Sequence, residues 1–176
     1  MMQRMFLAVL IIICGSMQAC LQSNTSPKAI VEKKQGEWFV DEKGDTIRYV
    51  QKTAAEWEAL LDATSYHVLR EKGTERAFTG AYNANKKEGT YYCKGCGLSL
   101  FSSDTKFDSG TGWPSFYAPI DKTHVEEEID HAYGMRRVEI LCHRCGGHLG
   151  HVFEDGPPPT GLRYCMNSVS LDFKPE

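Results

Sequence analysis

Cys93-Lys-Gly-Cys96-Gly97 and Cys142-His-Arg-Cys145-Gly146 are two copies of one pattern, C-x-x-C-G, set far apart in the chain. Two thiolates at this spacing can grip one tetrahedral ion from a single tight turn. The glycine that follows lets the backbone turn left-handed and aim amide N–H groups at the sulfurs. Two such turns complete a four-cysteine site and staple two hairpins together. The spacing points to Zn2+, one per chain, held by Cys93, Cys96, Cys142 and Cys145. A closed site of this kind leaves no open coordination position, so its expected role is structural. His143, inside the second turn, reads as a solvated side chain rather than a ligand. Two disulfides, or a redox-active C-x-x-C pair, remain the alternatives. A redox pair would open a helix, whereas both units here sit among strand and turn signals.

Working outward, the pattern from Gly89 onward is one of short strands and turns, punctuated by Phe107-Asp-Ser-Gly110, Gly146-Gly147 and Asp155-Gly-Pro-Pro-Pro159. Upstream, Thr53 and Glu56 make a T-x-x-E capping box, and Trp57, Leu60 and Leu61 follow at helical spacing. Tyr66, Val68 and Leu69 predict a second short helix ending before Gly73. Residues Glu37 to Val50 hold a candidate hairpin with its turn at Asp41–Gly44. The fold class is therefore mainly β, with one or two helices at the N-terminal edge.

The last strand is read as Arg163 to Phe173. Arg163, Cys165, Asn167, Val169, Leu171 and Phe173 alternate onto one face, polar at its start and apolar at its end. Val169, Leu171 and Phe173 would anchor that face in the core and hold Cys165 at its edge. Arg163 beside it would favour the thiolate. An inert buried thiol is the other reading of a lone strand cysteine.

The 176 residues, 41% hydrophobic and 24% charged, suit one domain plus a tail. A net charge of −3 argues against a nucleic-acid partner. Arg4 precedes the apolar run Met5–Ile13, and Gly15-Ser-Met-Gln-Ala-Cys20 follows it. That is an export signal over residues 1–19, whose form resembles a bacterial lipoprotein signal with Cys20 as the lipidated residue. An ordinary secretory signal is the alternative. Residues 21–34 read as a polar tether, residues 20–50 as anchor and extension, and residues 51–176 as the catalytic domain. The expected location is the periplasmic or outer side of a bacterial membrane. No feature argues for an oligomer, so a monomer is expected.

Gly112-Trp-Pro-Ser-Phe116, the two C-x-x-C turns, His148-Leu-Gly-His-Val-Phe153, Asp155-Gly-Pro157 and Arg163-Tyr-Cys-Met-Asn-Ser168 resemble the motifs of B-type methionine sulfoxide reductases. Thr74-Glu-Arg-Ala-Phe-Thr-Gly80 resembles that family's N-terminal signature. The resemblance implies two antiparallel sheets in a small barrel-like, zinc-stapled domain, and reduction of the R epimer of methionine sulfoxide, chiefly in proteins. By motif, Cys165 would be the nucleophile, with His148, His151, Asp155, Arg163 and Asn167 around it, and Trp113 and Phe153 toward the substrate.

Attack of a thiolate on the sulfoxide sulfur strands an oxyanion unless a proton arrives, and His151 is the first choice of donor, His148 the second. Three apart on a regular strand, the two would point to opposite faces, unless a bulge at Gly150 brings them together. Many family members keep a resolving cysteine where this chain has Thr111. Its absence implies that an external thiol, a thioredoxin-like protein or a small thiol, reduces the Cys165 sulfenic acid. Cys20, if left unlipidated on its tether, is the alternative resolver. The rival from another class is a membrane-tethered, zinc-ribbon-like binding module with Cys165 inert.

Overall fold

The computed structural model describes residues 36–176, so the signal at 1–19, Cys20 and the tether at 21–34 lie outside the described residues. The first element is the anticipated hairpin. Strands β1 (Trp38–Val40) and β2 (Thr46–Arg48) pair across a turn in which Asp41 Oδ1 accepts from the Lys43 and Asp45 amides. Phe39 joins the main core, so the hairpin packs on the domain that follows. Thr53 then caps α1 (Ala54–Leu60) with the full capping box, Glu56 accepting from the Thr53 amide. Asp62 caps α2 (Ala63–Glu71), which ends on Lys72 in the left-handed region. Trp57, Val68 and Leu69 bury the apolar faces of these helices. Among the described residues no helix is long and apolar enough to cross a membrane.

From Gly89 the chain is β-structure: β3 (Gly89–Cys93), β4 (Ser99–Ser102), β5 (Lys106–Phe107), β6 (Ser115–Phe116), β7 (Val125–Asp130), β8 (Arg137–Cys142), β9 (His148–Phe153), β10 (Arg163–Met166) and β11 (Leu171–Pro175). These make two antiparallel sheets, one in the order β11-β3-β4 and one in the order β5-β6-β10-β9-β8-β7. The larger order is open at both ends, since β5 and β7 do not pair; the sheets show no closed barrel. The core lies between them. Tyr91 and Phe101 from the smaller sheet meet Phe116 from the larger at ring-centroid distances of 5.0 and 4.5 Å. Full burial of side chains this size is worth about 1.5–3 kcal/mol each.

The C-terminal stretch departs from the reading above. Arg163–Phe173 is not one strand: β10 stops at Met166, a single helical turn spans Ser168–Ser170, and β11 begins in the other sheet. The Ser170 amide and hydroxyl both bond back to the Asn167 carbonyl, satisfying the backbone locally while the chain crosses between sheets. The turn resets the alternation. In β10 the core face is Tyr164 and Met166, while Arg163 and Cys165 take the outer face. Val169 and Phe173 are only half-buried, so of the three expected anchors Leu171 alone is fully buried.

Candidate active site

Paired residues in an antiparallel sheet project to the same side. The register sets Ser115 of β6, Cys165 of β10, His151 of β9, Glu139 of β8 and Glu128 of β7 in one line across the larger sheet. This is the face away from the core. His148 joins it because β9 carries a bulge: Ile140 pairs with Gly150 and Leu141 with His148, leaving Leu149 as the extra residue. The two histidine rings consequently stand 5.4 Å apart. Gly150 next to the bulge is required by close approach, because a Cβ there would lie 2.1 Å from the Cys165 carbonyl oxygen.

Each histidine has its own carboxylate. His148 Nδ1 lies 2.7 Å from Glu139 Oε1, and His151 Nε2 lies 2.9 Å from Asp130 Oδ2. A carboxylate can only accept, so both ring nitrogens are the donors. Glu139 also takes a bond from Lys72 Nζ at 2.7 Å, and Asp130 one from Arg137 at 2.6 Å. Burial pushes the Glu139 carboxyl up, but the bonds from His148 and Lys72 outweigh it and leave it below the usual range. The Ala132 amide, with His151 and Arg137, holds Asp130 lower still. Burial lowers the His151 pKa, and the Asp130 hydrogen bond only partly offsets this. His148 Nε2 is buried without a hydrogen-bond partner. These groups line a cavity of about 360 Å³.

Cys165 is half-buried, and burial pushes its thiol above the usual range. The Thr111 hydroxyl, 3.9 Å from Sγ, and the Arg163 charge act in the opposite direction. The thiolate-favouring effect read for Arg163 is thus present but outweighed. Arg163 grips Asp155 with two bonds of 2.8 and 2.9 Å and lies 4.4 Å above the Phe153 ring, forming one rim of the site.

Trp113 is half-buried and donates through Nε1 to the Glu75 carbonyl at 3.1 Å. Asn167 is buried and fully committed within the protein. Its Oδ1 accepts from the Glu75 amide, and its Nδ2 donates to the Leu149 carbonyl. The Glu75 carboxylate in turn accepts from the Ser168 and Val169 amides. Asn167 therefore fixes the segment that holds Trp113 and the bulge that aligns the histidines. Glu75, Lys72, Asp130 and Glu139 carried no assigned role in the sequence. A charged residue inside the apolar run Val138-Glu-Ile-Leu-Cys142 was the available signal for Glu139.

The four cysteines of the two C-x-x-C-G turns come together, their sulfurs all within 4.8 Å of one another. No disulfide joins them. Sγ–Sγ separations are 3.7 Å for Cys93–Cys145 and 3.5 Å for Cys96–Cys142. A tetrahedron with metal–sulfur bonds of about 2.3 Å has edges of about 3.8 Å, so the cluster fits such an ion. Both turns close identically: Gly97 and Gly146, with φ of 74° and 68°, donate to the carbonyls of Cys93 and Cys142. His143 is not a solvated passenger. Its ring lies 4.4 Å from that of Phe39, and Nδ1 donates to the Thr123 carbonyl.

A cysteine so placed, with proton-bearing side chains ranged beside it, is an arrangement that suits the chemistry of thiol-dependent oxidoreductases. Comparison with known proteins narrows the class. The SelR domain model matches residues 61–175. The chain is 62% identical over 129 residues to peptide methionine sulfoxide reductase MsrB of Pseudomonas putida (strain W619), covering 73% of this chain and 97% of that protein. It is 60% identical over 127 residues to the protein of the same name from Methanosarcina barkeri, covering 72% and 89% respectively. The protein of that name from Leptospira interrogans is 58% identical over 127 residues, covering 72% and 97%. The chain belongs to the SelR-domain family of MsrB-type reductases.

Proposed function

We propose that this protein reduces methionine sulfoxide to methionine, acting on the R epimer and chiefly on protein-bound residues. The observation that carries the reading is the register that sets Cys165 opposite His151 with His148 and Glu139 alongside. The Cys165 sulfur attacks the sulfoxide sulfur, the oxygen takes up a proton, and it passes as hydroxide from the substrate sulfur to the Cys165 sulfur as the transient sulfur–sulfur bond breaks. Methionine leaves as the thioether and Cys165 retains the oxygen as sulfenic acid. Trp113, anchored by Glu75, offers a flat wall for the S-methyl group, and Phe153 under Arg163 closes the opposite rim.

Two observations favour His148 over His151 as the proton donor. His151 gives its Nε2–H to Asp130 and its burial opposes a second proton. His148 keeps Nε2 unpartnered, and Glu139 accepts from its Nδ1 and fixes the ring. His148 is the proton donor; Glu139 is its positioning residue. Glu139→Ala removes the acceptor that fixes the His148 ring through Nδ1, so the ring loses its alignment for proton transfer. The single-turnover rate should fall about a hundredfold, the lower range for losing a general acid, and Glu139→Gln, whose amide oxygen still accepts, should recover part of it. An unchanged rate in Glu139→Ala would return the role to His151.

The cysteine cluster would hold one Zn2+ in a closed structural site. With Thr111 in the resolving position, and the other described cysteines committed to the cluster, a thioredoxin-like protein or small thiol regenerates Cys165. The signal-like segment and Cys20 support an exported, lipid-anchored form on the periplasmic or outer side of a bacterial membrane.

Incubating the fully reduced, metal-loaded protein with each sulfoxide epimer, with no reductant added, tests the reading. One R-sulfoxide consumed per chain, with the S epimer untouched, is expected. Consumption of the S epimer would overturn the stereochemistry. No consumption of either would leave the tethered binding module as the better account.

A further inference from the structure

A second set of metal-ligating side chains lies apart from the cysteine cluster. Asp41, in the hairpin turn, and Asp121 and His124, at the helical turn Lys122–His124 before β7, each bring one ligand atom within 4.8 Å of the others. His124 is 5% exposed, and its Nδ1 lies 2.6 Å from the Ser99 carbonyl. A carbonyl only accepts, so Nδ1 carries a proton, which leaves Nε2 as the ring position open to a further ligand. That Nε2 is buried with no hydrogen-bond partner and faces Asp41 Oδ2 at 3.6 Å.

Asp41 Oδ1 is occupied by the Lys43 and Asp45 amides, which turns Oδ2, on a side chain only 7% exposed, toward the histidine. Asp121 is held in place from both ends: Oδ1 accepts from the Thr123 amide and hydroxyl, and Oδ2 from the Glu42 amide. Each of its oxygens keeps a further lone pair. A buried imidazole nitrogen facing carboxylate oxygens is an arrangement that a cation between them would satisfy. Arg144, one of the two arginines that border the adjoining cleft, is spent on the carbonyls of Arg48 and Cys96. A cleft of about 610 Å³ bordered by Asp41 and His124 supplies the entry path.

We propose that Asp41, Asp121 and His124 bind one divalent transition-metal ion of the zinc class, with water completing a tetrahedral shell. One imidazole nitrogen with two carboxylate oxygens is a donor set suited to such ions. The ion ties the β1–β2 hairpin, which lies outside the segment 61–175 matched by the family model, to the body of the domain. This site stands independently of the reductase reading.

The test is titration of Zn2+ into the full chain after the cysteine cluster has been loaded, with bound ions counted by elemental analysis. One further ion per chain is expected. Asp41→Asn keeps the oxygen that orders the turn but loses the charge, and should weaken that ion at least about tenfold, the scale seen when even an outer partner of a ligand is removed. His124→Gln should abolish it. Asp45→Asn, on the same turn but outside the ligand set, should leave it unchanged. Absence of a further ion in the wild type would overturn the site and assign the gap to a proton shared by His124 and Asp41. So would an Asp41→Asn variant that binds as tightly as wild type.

Discussion

Cys165→Ser should end sulfoxide reduction, with the single-turnover rate down on the order of 10⁴-fold or more, the scale on which loss of an enzyme nucleophile is felt. The hydroxyl is nearly isosteric with the thiol, and its neighbours Thr111 and Ser115 already form a hydroxyl-lined pocket, so the fold should be unaffected. What disappears is a polarisable nucleophile able to accept oxygen. Thr111→Cys is the complementary change. Its side-chain oxygen sits 3.9 Å from Cys165 Sγ, so the introduced thiol would attack the sulfenic acid directly, forming a disulfide and releasing water. After one turnover without reductant, that variant should lose both thiols to alkylation, whereas wild type should lose one. A Cys165→Ser protein that still consumed sulfoxide would remove Cys165 from the mechanism altogether.

What the sequence made legible was local. The Thr53–Glu56 box, the two C-x-x-C-G turns and the position of Cys165 on a strand each depend on residues within one turn or one strand. What it concealed was set by pairing between elements. Asn167 looked like one more residue on an alternating face, yet it opens the turn that moves the chain to the other sheet and inverts which side of β10 is buried. The bulge at Leu149 was only hinted at by Gly150, and without it His148 and His151 diverge. Glu139 and Asp130 acquire their role only through register and the meeting of β7, β8 and β9. Likewise Glu75 stood inside a recognised motif, but its grip on Ser168, Val169 and Trp113 spans most of the domain.

The larger effect on the fold should come from depriving the cysteine cluster of the metal ion it is proposed to hold. Cys93 ends β3 in the smaller sheet and Cys142 ends β8 in the larger, so an ion held there would tie the two sheets at one end of the core. α2 is held there as well, with Arg70 Nη1 donating to the Cys145 carbonyl, and the hairpin segment follows through the bond from the Val50 amide to the Arg144 carbonyl. Structural zinc contributes roughly 10–16 kcal/mol of binding free energy in small domains, against a total folding stability of about 5–15 kcal/mol. Chelation should therefore abolish the cooperative thermal transition, and Cys142→Ser should yield a protein without near-ultraviolet circular dichroism. Activity should vanish in step with structure, because the Cys142–Cys145 turn is the link between β8, which carries Glu139, and β9, which carries both histidines. Near-native dichroism and an unchanged melting curve after complete metal removal would refute the structural role. Retained dichroism with lost activity would show instead that the ion serves the alignment of β8 and β9 more than the fold as a whole.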